Sequence, residues 1–179
     1  VDQFTGEDIF RLSGLIFTAI SLEPETQIAG VILIYDCRKT SLKHLTSVSM
    51  KMYYEAAVQM KNTMLRIKGI YIIGMPTFAT QFLNIVKLGF SEKLNKRLHF
   101  LSDISELSNH VDSSILPQEY GSGSVSSKVM AEEFREKLIN TSEIFENRMK
   151  QYDIDFTKIK DQKDNFESLE GSFRKLEID

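Results

Sequence analysis

Arg66–Phe100, RIKGIYIIGMPTFATQFLNIVKLGFSEKLNKRLHF, decides how the rest of the chain is read. Ile67–Ile73 is a β-branched run ending at a Gly-Met-Pro turn, which predicts a strand. Thr77–Gly89 then follows a helical pattern. Its polar residues Thr77, Thr80, Gln81, Asn84 and Lys87 are mostly three or four apart and form one narrow stripe; Phe78, Ala79, Phe82, Leu83, Ile85, Val86 and Leu88 cover the remainder. A helix this apolar is not expected to face water over half its circumference. It is either a buried core helix or a lid that covers a cavity when shut and meets lipid when open. Gly74-Met-Pro76 and Gly89 are the expected hinges, because glycine permits unusual dihedrals and proline limits where a helix begins. Leu98–Leu101 closes the stretch as a third, short strand.

Upstream, Gly30–Asp36 (GVILIYD) is continuously apolar, which suits a strand covered on both faces in a parallel sheet. Between the two strands, Ser41–Met64 carries one helical pattern through Leu45, Val48, Met52, Tyr53, Ala56, Ala57, Met60 and Met64. Strand, helix, strand of this size is a right-handed βαβ unit. Glu7–Leu22 is predicted helical, capped by Thr5, with Gly14 leaving room for a close approach. Pro24–Gln27 reads as a connection. Downstream, Asp103–His110 reads as a short helix, Ser114–Gly121 as a turn-rich closure and Gly121–Ser127 as a flexible linker. Ala131–Gln151 is a charged helix with an apolar stripe at Phe134, Leu138, Ile144, Phe145 and Met149. Tyr152–Asp179 is expected to lie over the body as irregular structure anchored by Phe156, Phe166 and Phe173. The predicted division is a domain at 1–127 and a C-terminal helix with wrapping tail at 128–179.

The 179 residues are 42% hydrophobic and 26% charged, with a net charge of −3, which describes a folded globular chain without general attraction for polyanions. The average hides an asymmetry. Lys61, Arg66, Lys68, Lys87, Lys93, Lys96 and Arg97 face a single anion, Glu92, between positions 61 and 99. Arg66 and Lys68 are two apart in a strand and share a face, while Lys93 and Arg97 are four apart and neighbours on a helix. This is either a solvated basic surface or a patch for phosphate headgroups. The single cysteine, Cys37, excludes an intramolecular disulfide and fits a reducing compartment. No apolar run approaches the ~20 residues of a membrane-spanning helix.

Catalytic patterns are missing where they would be needed. There is no G-x-S-x-G elbow, and Gly121–Lys128 fails the phosphate-loop spacing. His44, His99 and His110 have no metal-ligand partners at usual spacing, and Cys37 has no evident base. The cations surround an aliphatic helix rather than stacking aromatics, against nucleic-acid binding. The expectation is a protein that is not an enzyme, with no cofactor and no metal.

Taken together, Phe10-Arg-Leu-Ser13, Gly30–Asp36, Leu65-Arg-Ile-Lys-Gly-Ile70, the Pro76 helix, Glu92–His99, Ile115–Gly121 and Gly171-Ser-Phe-Arg-Lys-Leu resemble the CRAL-TRIO lipid-transfer family. The closest likeness is to its alpha-tocopherol transfer protein-like branch, insect type. The resemblance implies an α/β fold: a mostly parallel sheet with flanking helices and a gate helix over an apolar pocket. It further implies intracellular transfer of a hydrophobic ligand (tocopherol, retinoid or phospholipid-like) by a cytoplasmic protein that visits membranes transiently. By that resemblance Phe10, Ser13, Phe17, Val31 and Leu33 face the pocket; Phe78, Phe82 and Ile85 are added from the helix pattern. Arg66, Lys68, Lys93 and Arg97 match the phosphoinositide-binding positions. Gly74-Met75 stands where the family commonly has Asn-Glu, and Lys87-Leu-Gly89 replaces a Lys-Pro-Phe. An N-terminal helical subdomain and the first strand of the lipid domain are expected to be missing. Two other readings stay open: a phosphoinositide-binding scaffold without cargo, and a truncated, non-functional product.

Overall fold

The computed structural model describes residues 5–151, without the side chains of 145 and 147–151. The expected wrapping of Tyr152–Asp179 through Phe156, Phe166 and Phe173, and the stripe positions Phe145 and Met149, lie outside the described residues. The chain divides into two compact units, residues 1–142 and 143–179.

Three parallel strands form the sheet: β1 (Val31–Asp36), β2 (Ile67–Ile73) and β3 (Leu98–Leu101), in the order β1-β2-β3. Leu33 stands opposite Ile70, and Ile70 opposite Leu98. Gly30 lies outside β1. It ends the helix α2 (Pro24–Ala29) with φ 84°, a left-handed value that glycine adopts at no steric cost. The expected Pro24–Gln27 connection is therefore helical, with proline at the helix start where its missing N–H costs nothing.

The central strand β2 is buried on both faces. On one, Ile67 and Ile70 pack with Ala57, Phe90 and Leu94, joined by Val31, Leu33, Met60, Val86 and Leu98. On the other, Tyr71 and Ile73 pack with Leu101, Leu107, Val111 and Leu116. Ile70, Ile73 and Leu107 are the largest side chains fully removed from water, each contributing about 1.5–3 kcal/mol. β1 departs from expectation. It is an edge strand, with Ile32 42% and Tyr35 43% exposed. Its apolar run is as continuous as that of β2, but coverage depends on the neighbours that a strand acquires.

Helix α1 (Gly6–Ser21) starts with the predicted cap. The Asp8 amide donates to the Thr5 hydroxyl at 3.1 Å, and the Thr5 amide to Asp8 at 2.8 Å. Gly14 meets no close neighbour; it is Gly6 that sits tightly against Ser47 and Val48. The single helix expected over Ser41–Met64 is two, α3 (Leu42–Thr46) and α4 (Met50–Asn62). The serines break it. The Ser47 hydroxyl donates to the His44 carbonyl at 2.7 Å, and Ser49 caps α4 by accepting from the Met52 amide at 3.2 Å. After β2 come a 3-10 turn at Thr77–Ala79, α5 (Thr80–Gly89) and α6 (Glu92–Asn95). Ile104–Asn109 is a short 3-10 helix within the expected Asp103–His110, and Ser113–Ile115 is a 3-10 turn at the start of the turn-rich closure. Gly121–Ser127 is not a free linker. The Ser122 amide donates to Ser113 at 2.8 Å and the Gln118 amide to Val125 at 3.0 Å, and Gly123 lies so close to the Leu116 carbonyl that no side chain fits. Helix α7 begins earlier than expected and spans Ser127–Gln151.

A polar latch holds the closure to the end of β1. Arg38 donates Nε to Asp36 Oδ1 at 2.9 Å and Nη2 to Oδ2 at 2.7 Å, while the Tyr120 hydroxyl donates to Oδ2 at 3.0 Å. Hydrogen bonding by Arg38 holds the Asp36 carboxyl well below the usual carboxylate range. A depressed carboxyl stabilises the fold above its unfolded value and loses that contribution as pH falls through the folded value. Asp36→Asn is therefore expected to cost about 1–2 kcal/mol at neutral pH, discounted for the partial exposure of the pair. Urea midpoints of the two proteins should keep that gap down to about pH 4 and converge only in stronger acid.

Candidate functional site

Helix α5 lies across α4. The Phe82 and Tyr53 rings meet edge-on with centroids 5.4 Å apart. A Cβ placed on Gly89 would fall 2.6 Å from the Ala57 Cβ and 3.0 Å from the Tyr54 carbonyl oxygen. Ala79, Phe82, Ile85 and Gly89 form the buried side, and the predicted polar stripe of Thr77, Thr80, Gln81, Asn84 and Lys87 is exposed. The helix nonetheless shows water more apolar surface than expected, with Phe78 44% and Leu88 54% exposed. The two expected hinges also differ from each other. Gly74 adopts φ 61°, a left-handed turn that suits glycine, whereas Gly89 is a helix–helix contact.

An open depression of about 600 Å³ lies at the carboxyl ends of β2 and β3, lined by Gly74, Met75, Pro76, Thr77, Thr80, Leu83, Phe100, Leu101 and Ser102. Ligands in α/β sheets are generally received outside the carboxyl ends of the strands. Met75, Pro76, Leu83, Phe100 and Leu101 make apolar walls, and the threonines and Ser102 place hydroxyls among them. Lys87 Nζ stands 5.5 Å from the Phe100 ring centre. Such a trough suits an apolar body with a small polar end. Leu83, Met75 and Phe100 were not singled out from the sequence. The signal available for them was the Gly-Met-Pro turn directly after a strand.

The pocket residues expected from the sequence do not line this depression. Val31 and Leu33 pack into the core beneath α4 and α6. Phe82 and Ile85 occupy the buried side of α5, and Phe78 is exposed beside them in the 3-10 turn. Phe10, Ser13 and Phe17 are on α1, which meets α2 and α4. Phe10 and Phe17 are half-buried, while Ser13 is exposed and donates its hydroxyl to the Ile9 carbonyl at 2.9 Å.

The predicted cations gather at the opposite, amino end of the sheet. Arg97 donates Nη1 to the Ile67 carbonyl, and its own carbonyl accepts from the Ile70 amide at 2.8 Å. Its guanidinium therefore lies at the residue between Arg66 and Lys68. Gly30 stands against both of these: a Cβ there would lie 3.1 Å from the Arg66 Cβ and 3.2 Å from the Lys68 Cε. Lys93, Lys96 and Arg97, with Glu92, line a second open depression of about 390 Å³. Lys96 is engaged by Glu92 at 2.6 Å. Among the described residues no carboxylate lies within ion-pair distance of Arg66, Lys68 or Lys93.

Among the described residues no three His, Cys, Asp or Glu side chains are placed to hold a metal ion. No helix among them is long and apolar enough to cross a membrane.

Comparison with known proteins adds three findings. A family model described as the CRAL/TRIO domain matches residues 1–123. Clavesin-2 of Rattus norvegicus and Clavesin-2 of Homo sapiens are each 26% identical to this chain over 122 residues, covering 66% of it and 37% of their own length. The chain thus spans little more than a third of the curated relatives that it matches. A crystal structure of Sfh5 superposes with a TM-score of 0.45 and 16% identity, over 55% of this chain and 34% of that one.

Proposed function

This chain belongs to the CRAL/TRIO domain family, and on that premise we propose that it binds and transfers a small hydrophobic ligand and releases it at phosphoinositide-containing membranes. The open, partly apolar depression between α5 and the carboxyl ends of β2 and β3 carries the reading. Its volume falls within the roughly 300–1,000 Å³ range of small-molecule sites. A tocopherol, retinoid or phospholipid-like ligand gains about 25 cal/mol for each Å² of apolar surface that it withdraws from water there. No bond is made or broken, so the reading is of a carrier and not of an enzyme. The tocopherol-carrier branch and a cytoplasmic location, with transient visits to membranes, belong to the same proposal.

Helix α5 serves as the gate in this account. It packs on α4 through the Phe82–Tyr53 and Gly89–Ala57 contacts, which opening would have to break, and the chain enters it through the Gly74-Met-Pro76 turn. Anionic headgroups gather at Arg66, Lys68, Lys93 and Arg97. They shift the gate only so far as they bind its open state more tightly than its closed one. The preassembled cation cluster also favours a second reading, a phosphoinositide-binding scaffold without cargo. Native purification of the 179-residue chain, followed by mass spectrometry of extracted lipid, separates the two. About one lipid per chain is expected; a stable, folded and empty chain excludes the carrier and leaves the scaffold, and a chain that only aggregates points to a non-functional product.

A further inference from the structure

Ile28 and Met64 are the two most exposed large hydrophobic side chains among the described residues, at 78% and 98%. Each lies shortly before a strand of the parallel sheet, Ile28 on α2 ahead of β1 and Met64 ahead of β2. Val31 pairs with Ile67 at the start of the parallel ladder, and the Val31 amide donates to the Arg66 carbonyl at 2.9 Å. Ile28 is three residues ahead of Val31, and Met64 is three residues ahead of Ile67. Both therefore precede the amino end of the sheet on segments that run into paired strands.

The surroundings are basic. Met64 is followed by exposed Arg66 and Lys68, and Gly30, two residues after Ile28, stands against both. Arg97 reaches the carbonyl of Ile67 between them, and Lys61 is exposed at the end of α4. Two nearby carboxylates are already engaged, Glu92 by Lys96 and Glu23 by Lys137. Glu25 remains as an exposed acid on α2.

We propose that Ile28 and Met64 form a pair of apolar tips that enter the interface of an anionic bilayer while Arg66, Lys68, Lys93 and Arg97 hold its headgroups. This rests on the headgroup reading above and adds to it two points of apolar entry beside the cations. Cations and aliphatic tips fit one partner in particular. Lipid headgroups draw in the cations at about 1 kcal/mol each, and the hydrocarbon just beneath receives apolar side chains that water disfavours. A nucleic acid would call for stacking rings at this position, and both tips are aliphatic.

The chain contains no tryptophan, so Met64→Trp places a single indole reporter at the tip. With vesicles of phosphatidylcholine and phosphatidylinositol bisphosphate, its emission is expected to shift to the blue and to be quenched by brominated acyl chains. The double variant Ile28→Gln/Met64→Gln is expected to bind these vesicles about tenfold more weakly, with the same dependence on salt and anionic lipid. Both positions are so exposed that the fold tolerates the changes. If the parent chain binds while the reporter at position 64 stays in water and the double variant binds as the parent does, tip insertion is overturned and the headgroup patch stands. If the parent chain does not bind the vesicles at all, the headgroup reading falls, and this inference with it.

Discussion

Gly89→Val is expected to destabilise the chain by about 3 kcal/mol, a large part of the 5–15 kcal/mol available to a domain. The reason is local and steric. The first carbon of any side chain at position 89 would lie 2.6 Å from the Ala57 Cβ, with the Tyr54 carbonyl oxygen at 3.0 Å. The neighbours cannot easily give way, because Ala57 is 1% exposed in the core formed with Ile67, Ile70, Phe90 and Leu94. Losing glycine from a helix contributes up to about 1 kcal/mol in the opposite direction, which does not offset the clash. Urea denaturation of the two proteins measures the difference. An unchanged midpoint would show that α4 and α5 do not meet at this residue.

Reversing two exposed cations, Lys68→Glu with Lys93→Glu, is expected to lower affinity for phosphoinositide vesicles by more than roughly thirtyfold at low salt. Each cation near an anionic surface contributes about 1 kcal/mol, so losing two attractions costs about 2 kcal/mol, or roughly thirtyfold, and repulsion from the two glutamates adds to that loss. The lysines are the better choice because Arg97 has a second role. It is half-buried, and its guanidinium satisfies the Ile67 carbonyl, so replacing it disturbs the start of β2 as well as the patch. The effect should shrink as salt rises, since exposed charges are screened within about 10 Å at 0.1 M. Vesicle cosedimentation at two salt concentrations tests both statements. Equal binding by parent and variant would remove the basic cluster from any account of membrane release.

The local elements were legible because their signals are local. Strand boundaries at Ile67–Ile73 and Leu98–Leu101, the Thr5 cap and the outward polar stripe of α5 follow from side-chain period and capping chemistry. The break between α3 and α4 was missed because Ser47 and Ser49 act through hydrogen bonds to nearby backbone, which an apolar pattern running through Val48 conceals. Helix α5 lines the depression with a side other than the one singled out from the sequence. Phe82 and Ile85 are its most apolar residues and for that reason are buried against the protein, leaving Leu83 and Thr80 for the depression.

The sequence by itself determined an α/β chain with parallel strands, a basic middle and an apolar helix after Pro76. These depend on backbone preference and on the order of residues along one segment. Tertiary structure alone decided that β1 is an exposed edge although it is as apolar as β2, and that Gly89 is a close contact with α4. It also placed the Arg97 guanidinium at Ile67, between Arg66 and Lys68. In each case the deciding quantity is the distance between segments remote in sequence. Ladder register and helix crossing set that distance, and no pattern within one segment contains it.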